Sequence, residues 1–426
     1  MVACEASEAL GHAIGQAHCS HYLVDQTRKL SNRQAGNVMA RSDRLPLIKA
    51  IEEVRGNPVL TYVTGDRSPV QAQIGEDALR PIHDQLSAIG KVDSLDLFIY
   101  SRGGALEVPW RIASALRKYA DRWQLLVPFR ANSAATLLAL GADEIILGRH
   151  GELGPIDPIL NLQRMVTDPG QSQTPVQDTI NVEDVMAYLR FVRDEVGLTD
   201  QSALSTTLER LSARLDAVGL GAVHRTRTHI RDVAHHMMTS RSEPPTDRVM
   251  ETIVETLAER VYAHGHAVGF GEAKDIGLPV AMADDPTDAA MWSLLEQYET
   301  DMMLRDPMDA VAALGEKDIH EELSVIAITD SSPLTYECSG TIEVKGKRQI
   351  PSTLNVSVNL QLQLPPGSEG GLPENLQQAL QQAAQQVQQD LVAQAQEAVK
   401  EALGKQAPLI GHDVAFRNMA WKRDSS

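Results

Sequence analysis

Between about residue 45 and residue 160, short apolar runs alternate with helical segments, and few folds accommodate that rhythm. "NPVLTYVTG" reads as a strand ending in a turn. "GEDALRPIHDQLSAIG" reads as an amphipathic helix, with Ala78, Ile82 and Leu86 four apart. "SLDLFIYS" is a strand, and "GGALEVPWRIASALRKY" is a helix led by two glycines. "WQLLVPF" is a strand, "SAATLLALGA" a short buried helix and "DEIILG" a strand. Strands joined through helices imply right-handed crossovers and a parallel sheet covered on both faces. In open sheets of this kind, ligands sit in crevices at the strand-to-helix turns.

The remainder of the chain has a different grammar. Residues 1 to about 45 form a lead-in. Residues 165 to 176 are polar, with Pro and Gly, as a loop is. A helical region follows over about 181–262, interrupted near Gly197, Gly219–Gly221 and "SEPPTD". "AHGHAVGFGEAKDIGLPV" reads as a loop, a short helix and a strand-like end, and about 285–313 is helical again. In "STLNVSVNLQLQL", Leu354, Val356, Val358, Leu360, Leu362 and Leu364 alternate strictly. That is a half-buried strand, expected to join 322–329 and 334–345 in a small antiparallel sheet. In "PENLQQALQQAAQQVQQDLVAQAQEAVKEALG" a narrow stripe of Leu, Val and Ala at three- and four-residue steps suits close helix packing, between subunits or on its own domain. The expected organisation is a lead-in over 1–45, an α/β domain over 46–315 containing the insertion at about 181–262, and a small α+β domain over 316–426.

Composition narrows the function. The formal net charge of −18 argues against a nucleic-acid binder, which needs a basic face for phosphates. Cys4, Cys19 and Cys338 are far apart and odd in number, so neither a disulfide framework nor a zinc cluster is expected. The start, "MVACEASEALGHAIGQAH", lacks the basic and apolar regions of a secretory signal. The most apolar run, Ala134 to Leu147, is broken by Gly141, Asp143 and Glu144, so no membrane span is expected. A cytoplasmic protein without a metal or cofactor fits these features.

Three segments at strand-to-helix turns can carry chemistry. In "FIYSRGGALEVPW", Gly103 and Gly104 allow a turn with no Cβ in the way, so backbone N–H groups can point into a cleft and hold an oxyanion. In "PFRANSAATLLALGADEIILG", Ser133 opens a buried helix whose N-terminal N–H groups favour negative charge. Either a helix cap (Asn132 or Ser133) or a nucleophile at Ser133 fits that position. "RHGELGPIDP" offers His150, Glu152 and Asp157, the last in a turn before Pro158. Asp66 and Arg67 sit at another strand end. His229, His235 and His236 read as a solvated helix face, since no carboxylate completes a metal site.

Taken together, these motifs resemble the Clp protease/crotonase superfamily. "YSRGG" is similar to its Ser-Pro-Gly-Gly oxyanion loop, with Arg102 in place of Pro. "ANSAATLLALGADEIILGRHGELGPIDP" resembles the nucleophile segment of signal peptide peptidase A relatives, and most of all their serine dehydrogenase proteinase group. "GPIDP" and "HGHAVGFGEAKDIGLPV" are similar to that group's turn and His-containing stretch. The resemblance spans roughly 45–160 and 255–282. It implies a repeated β-β-α superhelical core with a parallel sheet and a homo-oligomer. It also implies a serine endopeptidase acting on peptides or unfolded protein. Ser133 is then the nucleophile, and Gly103, Gly104 and Ala134 supply the oxyanion hole. A Ser, Asp, His order gives Ser133, Asp157 and His264, with His150 and His266 as alternative bases. Signal peptide peptidases pair the Ser with a downstream Lys, but no Lys lies between Lys118 and Lys274. Lys49, Lys91 and Lys118 have no supporting spacing.

Two other functions fit the same residues. An acyl-thioester-binding, crotonase-like protein would use the oxyanion hole with Glu107 or Glu152 as acid/base, although no basic cluster is evident near the cleft to hold coenzyme A phosphates. A catalytically inactive scaffold would assemble through its C-terminal part.

Overall fold

A computed structural model describes residues 41–166, 174–260, 265–315, 317–349, 357 and 374–424. The chain divides into two compact units. One comprises Met1–Pro307, Val325–Ser339 and Ala420–Ser426; the other comprises Met308–Ser324 and Gly340–Met419.

The first unit is α/β, as the alternating pattern implies. Its elements begin with α1 (Arg41–Arg55), β1 (Val59–Thr64), α2 (Leu79–Ile89), β2 (Val92–Tyr100), α3 (Val108–Tyr119) and β3 (Ala120–Val127). A two-residue β4 (Arg130–Ala131), α4 (Ala134–Ala139), β5 (Glu144–Leu147) and a two-residue β6 (Glu152–Leu153) follow. Strands β1, β2, β3 and β5 pair in parallel in that order, with Leu97 opposite Leu125 and Leu126 opposite Ile146.

Successive side chains of a strand point to opposite faces, and here both faces are apolar. Leu95, Leu97, Leu125 and Ile145 join Ile82 and Leu86 of α2, Ile112 and Leu116 of α3 and Leu137 of α4 in one core. Phe98, Leu126 and Ile146 join Ile48 and Ile51 of α1 in the other. Full burial of each such side chain contributes roughly 1.5–3 kcal/mol. The sheet ends in tight turns because each strand stops where its apolar run stops, which leaves polar residues at its carboxyl edge.

The insertion begins differently from its reading as a loop and a long helix. β7 (Ile159–Val166) and β8 (Thr174–Asn181) form an antiparallel hairpin, so 165–166 and 174–176 are strand. Their sequences, ILNLQRMV and TPVQDTIN, mix apolar and polar residues, and Leu160 and Ile180 pack against Val182, Val185, Leu215 and Val223. α5 (Val182–Arg190) starts at Asn181, whose Oδ1 accepts from the N–H groups of Glu183 and Asp184. The helix break expected at Gly219–Gly221 falls instead at Asp216, within α6 (Gln201–Thr239). Asp216 has φ 48°, and its carboxylate accepts from Gly219 N–H at 2.7 Å, capping the second stretch. Met237 and Met238, with Ile253 and Val254 of α7 (Asp247–Val254), complete the first core. α8 (Phe270–Asp275) leads into β9 (Val280–Met282), parallel to β5. α9 (Asp285–Asp301) adds Leu294, Leu295 and Tyr298 to the second core.

β10 (Ile319–Asp330), β11 (Thr335–Arg348) and β12 (Leu409–Asp424) each run from one unit into the other along the chain. In the first unit β10 is antiparallel to β1, with Val63 opposite Ile328. The second unit holds a short helix, Ala310–Leu314, and α10 (Glu374–Gln406), the helix expected from its Leu/Ala stripe. Val387, Leu391 and Val399 are exposed on α10. Arg348 ion-pairs with Asp318 at 2.8 Å and donates to the Ala407 carbonyl in the same unit. The alternating run 354–364 lies outside the described residues, and β12 has no counterpart in the sequence reading.

A buried ionic cluster fixes α1, α9, β10 and β11 within the first unit. Arg44, wholly buried, contacts Asp301 at 2.7 Å, Asp330 at 2.8 Å and Glu337 at 2.8 Å. Tyr298 donates to Asp330 and shares a hydrogen bond with Thr61. Burial pushes the Glu337 carboxyl up, with Arg44 opposing. Removing the cation strands three carboxylates, so Arg44→Met should cost about 3–5 kcal/mol in urea unfolding. Arg80→Ala, which breaks an exposed, solvent-screened pair with Asp84, should cost far less. Equal losses would contradict this account of the cluster.

Candidate active site

A cleft of about 720 Å³ opens at the carboxyl edge of the sheet, lined among others by Arg102, Gly103, Gly104, Arg130, Asn132, Ser133, Glu152 and Asp157. The three motif segments, far apart in sequence, meet there. β2 delivers Ser101 and the two glycines, β4 delivers Asn132 and Ser133, and the turn after β6 delivers Asp157.

The two turns touch. Gly103 has φ 106°, and a Cβ there would lie 2.7 Å from both the Asn132 carbonyl oxygen and the Ser133 Cβ. Gly104 has φ 156°, and a Cβ there would lie 2.3 Å from the Ile74 carbonyl oxygen. The loop is bonded to Ile74 on both sides: Ile74 N–H donates to Gly103 O at 2.8 Å and Ala105 N–H to Ile74 O at 2.9 Å. Glycine is required here for backbone-to-backbone approach as well as for φ.

Ser133 stands at the N-cap position of α4, yet its hydroxyl caps nothing. Its backbone has φ 53° and ψ −113°, a conformation that costs a non-glycine residue about 1–3 kcal/mol. The surroundings enforce it. Asn132 N–H donates to Ser101 O, Leu137 N–H to Ser133 O, and Thr136 Oγ1 bonds the carbonyls of Ala131 and Gly154. Asn132 does not cap either: its Oδ1 is buried without a partner among the described residues, against Gly154. The helix-cap reading is therefore set aside.

Of the three expected oxyanion donors, Gly103 N–H is already engaged, donating to Ser101 Oγ at 3.0 Å. Ser101 Oγ in turn accepts from Thr64 Oγ1 at 2.7 Å. The N–H groups of Gly104 and Ala134 donate to no acceptor among the described residues. Asp157 lines the cleft and accepts from Asn181 Nδ2 at 2.5 Å.

The expected histidines fare differently. His150 is exposed and packs on Trp292, with ring centroids 5.1 Å apart, away from the cleft. His266 is exposed and contacts Glu272 at 2.9 Å. Neither lines the cleft. His264 lies outside the described residues, but the next residue, Gly265, lines the cleft. Reciprocal hydrogen bonds between Leu153 and Val268 hold that stretch beside β6. Lys49, Lys91 and Lys118 are exposed and away from the cleft. His235 contacts Glu251 at 3.5 Å and His236 packs on Trp110. Among the described residues no group of His, Cys, Asp and Glu has the arrangement of a metal site. No helix among them is long and apolar enough to cross a membrane.

An ionic cluster that the sequence reading missed lies at one end of the cleft. Asp66 accepts from Arg102 Nε at 2.6 Å, Tyr100 Oη at 3.0 Å and Arg130 Nη1 at 3.3 Å. Burial and the Asp66 charge push the Tyr100 hydroxyl pKa up, keeping it a donor. Arg102, at the Pro position of the family loop, is thus tied down by Asp66. Arg102 and Arg130 also bring positive charge to a cleft where none was expected. Glu152 lines the cleft, whereas Glu107 is exposed and does not.

Comparison with known proteins agrees with the motifs. Residues 24–185 match the model of the family described as ClpP-like SDH-type serine proteinase. Two uncharacterised proteins of Methanocaldococcus jannaschii are similar. One is 34% identical over 133 residues, 31% of this chain and 41% of its own length. The other is 29% identical over 121 residues, 27% of this chain and 41% of its own. The chain thus spans about two fifths of the length of these curated relatives. Among solved structures, ClpP1 from Listeria monocytogenes aligns with a TM-score of 0.28 and 13% identity, over 57% of this chain and 97% of its own.

The contact between the two turns makes a stability prediction. Gly103→Ala should destabilise the protein clearly more than Gly56→Ala. Gly56 also has positive φ but nothing within 4 Å of its would-be Cβ, so only the conformational cost of about 1–2 kcal/mol applies. Urea unfolding of both variants checks this, and an equal loss would contradict the close approach.

Proposed function

We propose that this protein is a serine peptidase that hydrolyses peptide bonds in peptides or unfolded protein, with Ser133 as nucleophile. The observation that carries the reading is the state of Ser133. It holds a strained backbone at a strand-to-helix turn, its hydroxyl caps nothing, and the N–H groups of Gly104 and Ala134, in the two touching turns, have no acceptor among the described residues. A residue that merely began a helix would relax to ordinary φ and use its hydroxyl as a cap.

In this mechanism Ser133 Oγ attacks the scissile carbonyl carbon and its proton passes to the imidazole of His264. Asp157 orients that imidazole and stabilises its cation. The carbonyl oxygen becomes an oxyanion held by the N–H groups of Gly104 and Ala134. The imidazolium then protonates the leaving amine, the C–N bond breaks and an acyl-Ser133 ester remains. Water attacks that ester with the same base, releasing the acid and restoring the hydroxyl. Gly103 holds the loop through Ser101 and is not itself a donor. The assembly is a homo-oligomer in the cytoplasm, in keeping with the family resemblance and the acidic charge.

One observation favours a second reading: Arg102, Arg130 and Glu152 share the cleft, as an acyl-thioester site with phosphate-binding cations and a carboxylate would require. Because Asp66 already holds both guanidiniums, this reading ranks second; micromolar affinity for coenzyme A would promote it.

The test is digestion of denatured casein, followed by mass spectrometry of released peptides. Ser133→Ala should lower the rate by ~10³-fold or more, and Asp157→Asn by ~10²-fold or more. His150→Ala and His266→Ala should leave it within about threefold, since neither side chain lines the cleft. Undiminished digestion by Ser133→Ala would refute the assignment.

A further inference from the structure

Asn181, where the helical insertion begins, bonds the cleft residue Asp157, and neither the motifs nor the family resemblance picks it out. Asn181 is the last residue of β8 and sits opposite Ile159 in the hairpin, so its side chain emerges beside the Asp157–Pro158 turn. Its two amide atoms do different work. Nδ2 donates to Asp157 Oδ2 at 2.5 Å. Oδ1 accepts from Glu183 N–H at 2.8 Å and from Asp184 N–H at 3.4 Å, capping α5. The backbone adds a second tie, from Val182 N–H to Pro158 O at 3.1 Å.

We propose that Asn181 is a positioning residue that orients the Asp157 carboxylate and couples the setting of α5 to that carboxylate. The inference rests on the peptidase reading above. A carboxylate on a short side chain can rotate about its last bond. Fixing one oxygen with a charge-assisted hydrogen bond restricts that rotation. The donor also offsets part of the carboxylate charge that the imidazolium feels. Because the same amide caps α5, a shift of that helix alters how Asp157 is held.

Asn181→Asp separates the two roles, because its carboxylate can still cap α5 but presents an acceptor, not a donor, to Asp157. The readout is the rate at which a fluorophosphonate labels Ser133, measured by intact mass from pH 5 to 9, which needs no knowledge of the natural substrate. Asn181→Asp should melt lower than wild type, because two carboxylates then face each other, and label roughly tenfold slower or more, the rate equivalent of one hydrogen bond to a charged group. The acid limb of its profile should move to higher pH, since less of the carboxylate charge is offset and the imidazolium is better stabilised. Glu152, Arg102 and Arg130 also line the cleft and are unchanged, so the shift reports position 181. Asn181→Ala should slow labelling similarly and melt lower. Thr179→Ala, at an exposed position of the same hairpin, should change neither rate nor profile. Wild-type rate and an unmoved acid limb in Asn181→Asp would overturn the inference while leaving the peptidase reading standing. Failure of the wild type itself to label would overturn both.

Discussion

The close approach of the Gly103–Gly104 turn to the Asn132–Ser133 turn is the contact on which the site depends. It is possible only because one partner has no side chain, and it is held by Ile74 on one side and Ser101 on the other. From it follow the strained backbone at Ser133, the direction of the Ala134 N–H and the cleft between the turns. The parallel sheet places both turns at the same edge, because adjacent parallel strands end on the same side. The buried Arg44 cluster sits within the same unit and ties the helices of the opposite face to β10 and β11. The sheet is thereby braced on the face away from α4, so strain at Ser133 can persist.

The chemistry assigned to the cleft draws on residues from four parts of the chain. Ser133 and its donors come from two strand ends, Asp157 from the turn after β6, and the stretch beginning at Gly265 closes the cleft beside Leu153. The insertion enters through a hairpin that ends at Asn181, which connects its first helix with Asp157. The Asp66 cluster does for the oxyanion loop what a rigid Pro would do: it restrains Arg102 through an ion pair with a partly buried carboxylate.

Much of this was legible in the sequence, for a physical reason. Strands covered on both faces are continuous apolar runs, and crossover helices keep a 3.6-residue period, so β1, β2, β3 and β5 and the helices between them stand out. Ser133, Asp157 and the glycines could be singled out as candidates because turn chemistry is local. What escaped was non-local. Asp66 lies 36 residues from Arg102 and 64 from Arg130, and only the parallel pairing brings them together. The hairpin strands β7 and β8 mix apolar and polar residues without a sustained alternation, and the Pro- and Gly-containing stretch at their junction reads as a loop. Asn181 could have been noticed only as a cap signal ahead of "VEDV", and nothing in that signal points to Asp157. Gly103 was expected to donate to substrate because a sequence does not reveal that Ser101 already accepts from it. His150 is close to Asp157 along the chain, but its ring packs on Trp292 and does not line the cleft.

The central claim is that Ser133 is an activated nucleophile rather than the first residue of a helix. Intact mass after exposure to a fluorophosphonate, on wild type and on Ser133→Ala, tests it most directly. The account predicts one adduct on the wild type, mapped to the peptide containing Ser133, and none on the variant. No adduct on the folded wild type, or an adduct that survives in Ser133→Ala, would contradict it.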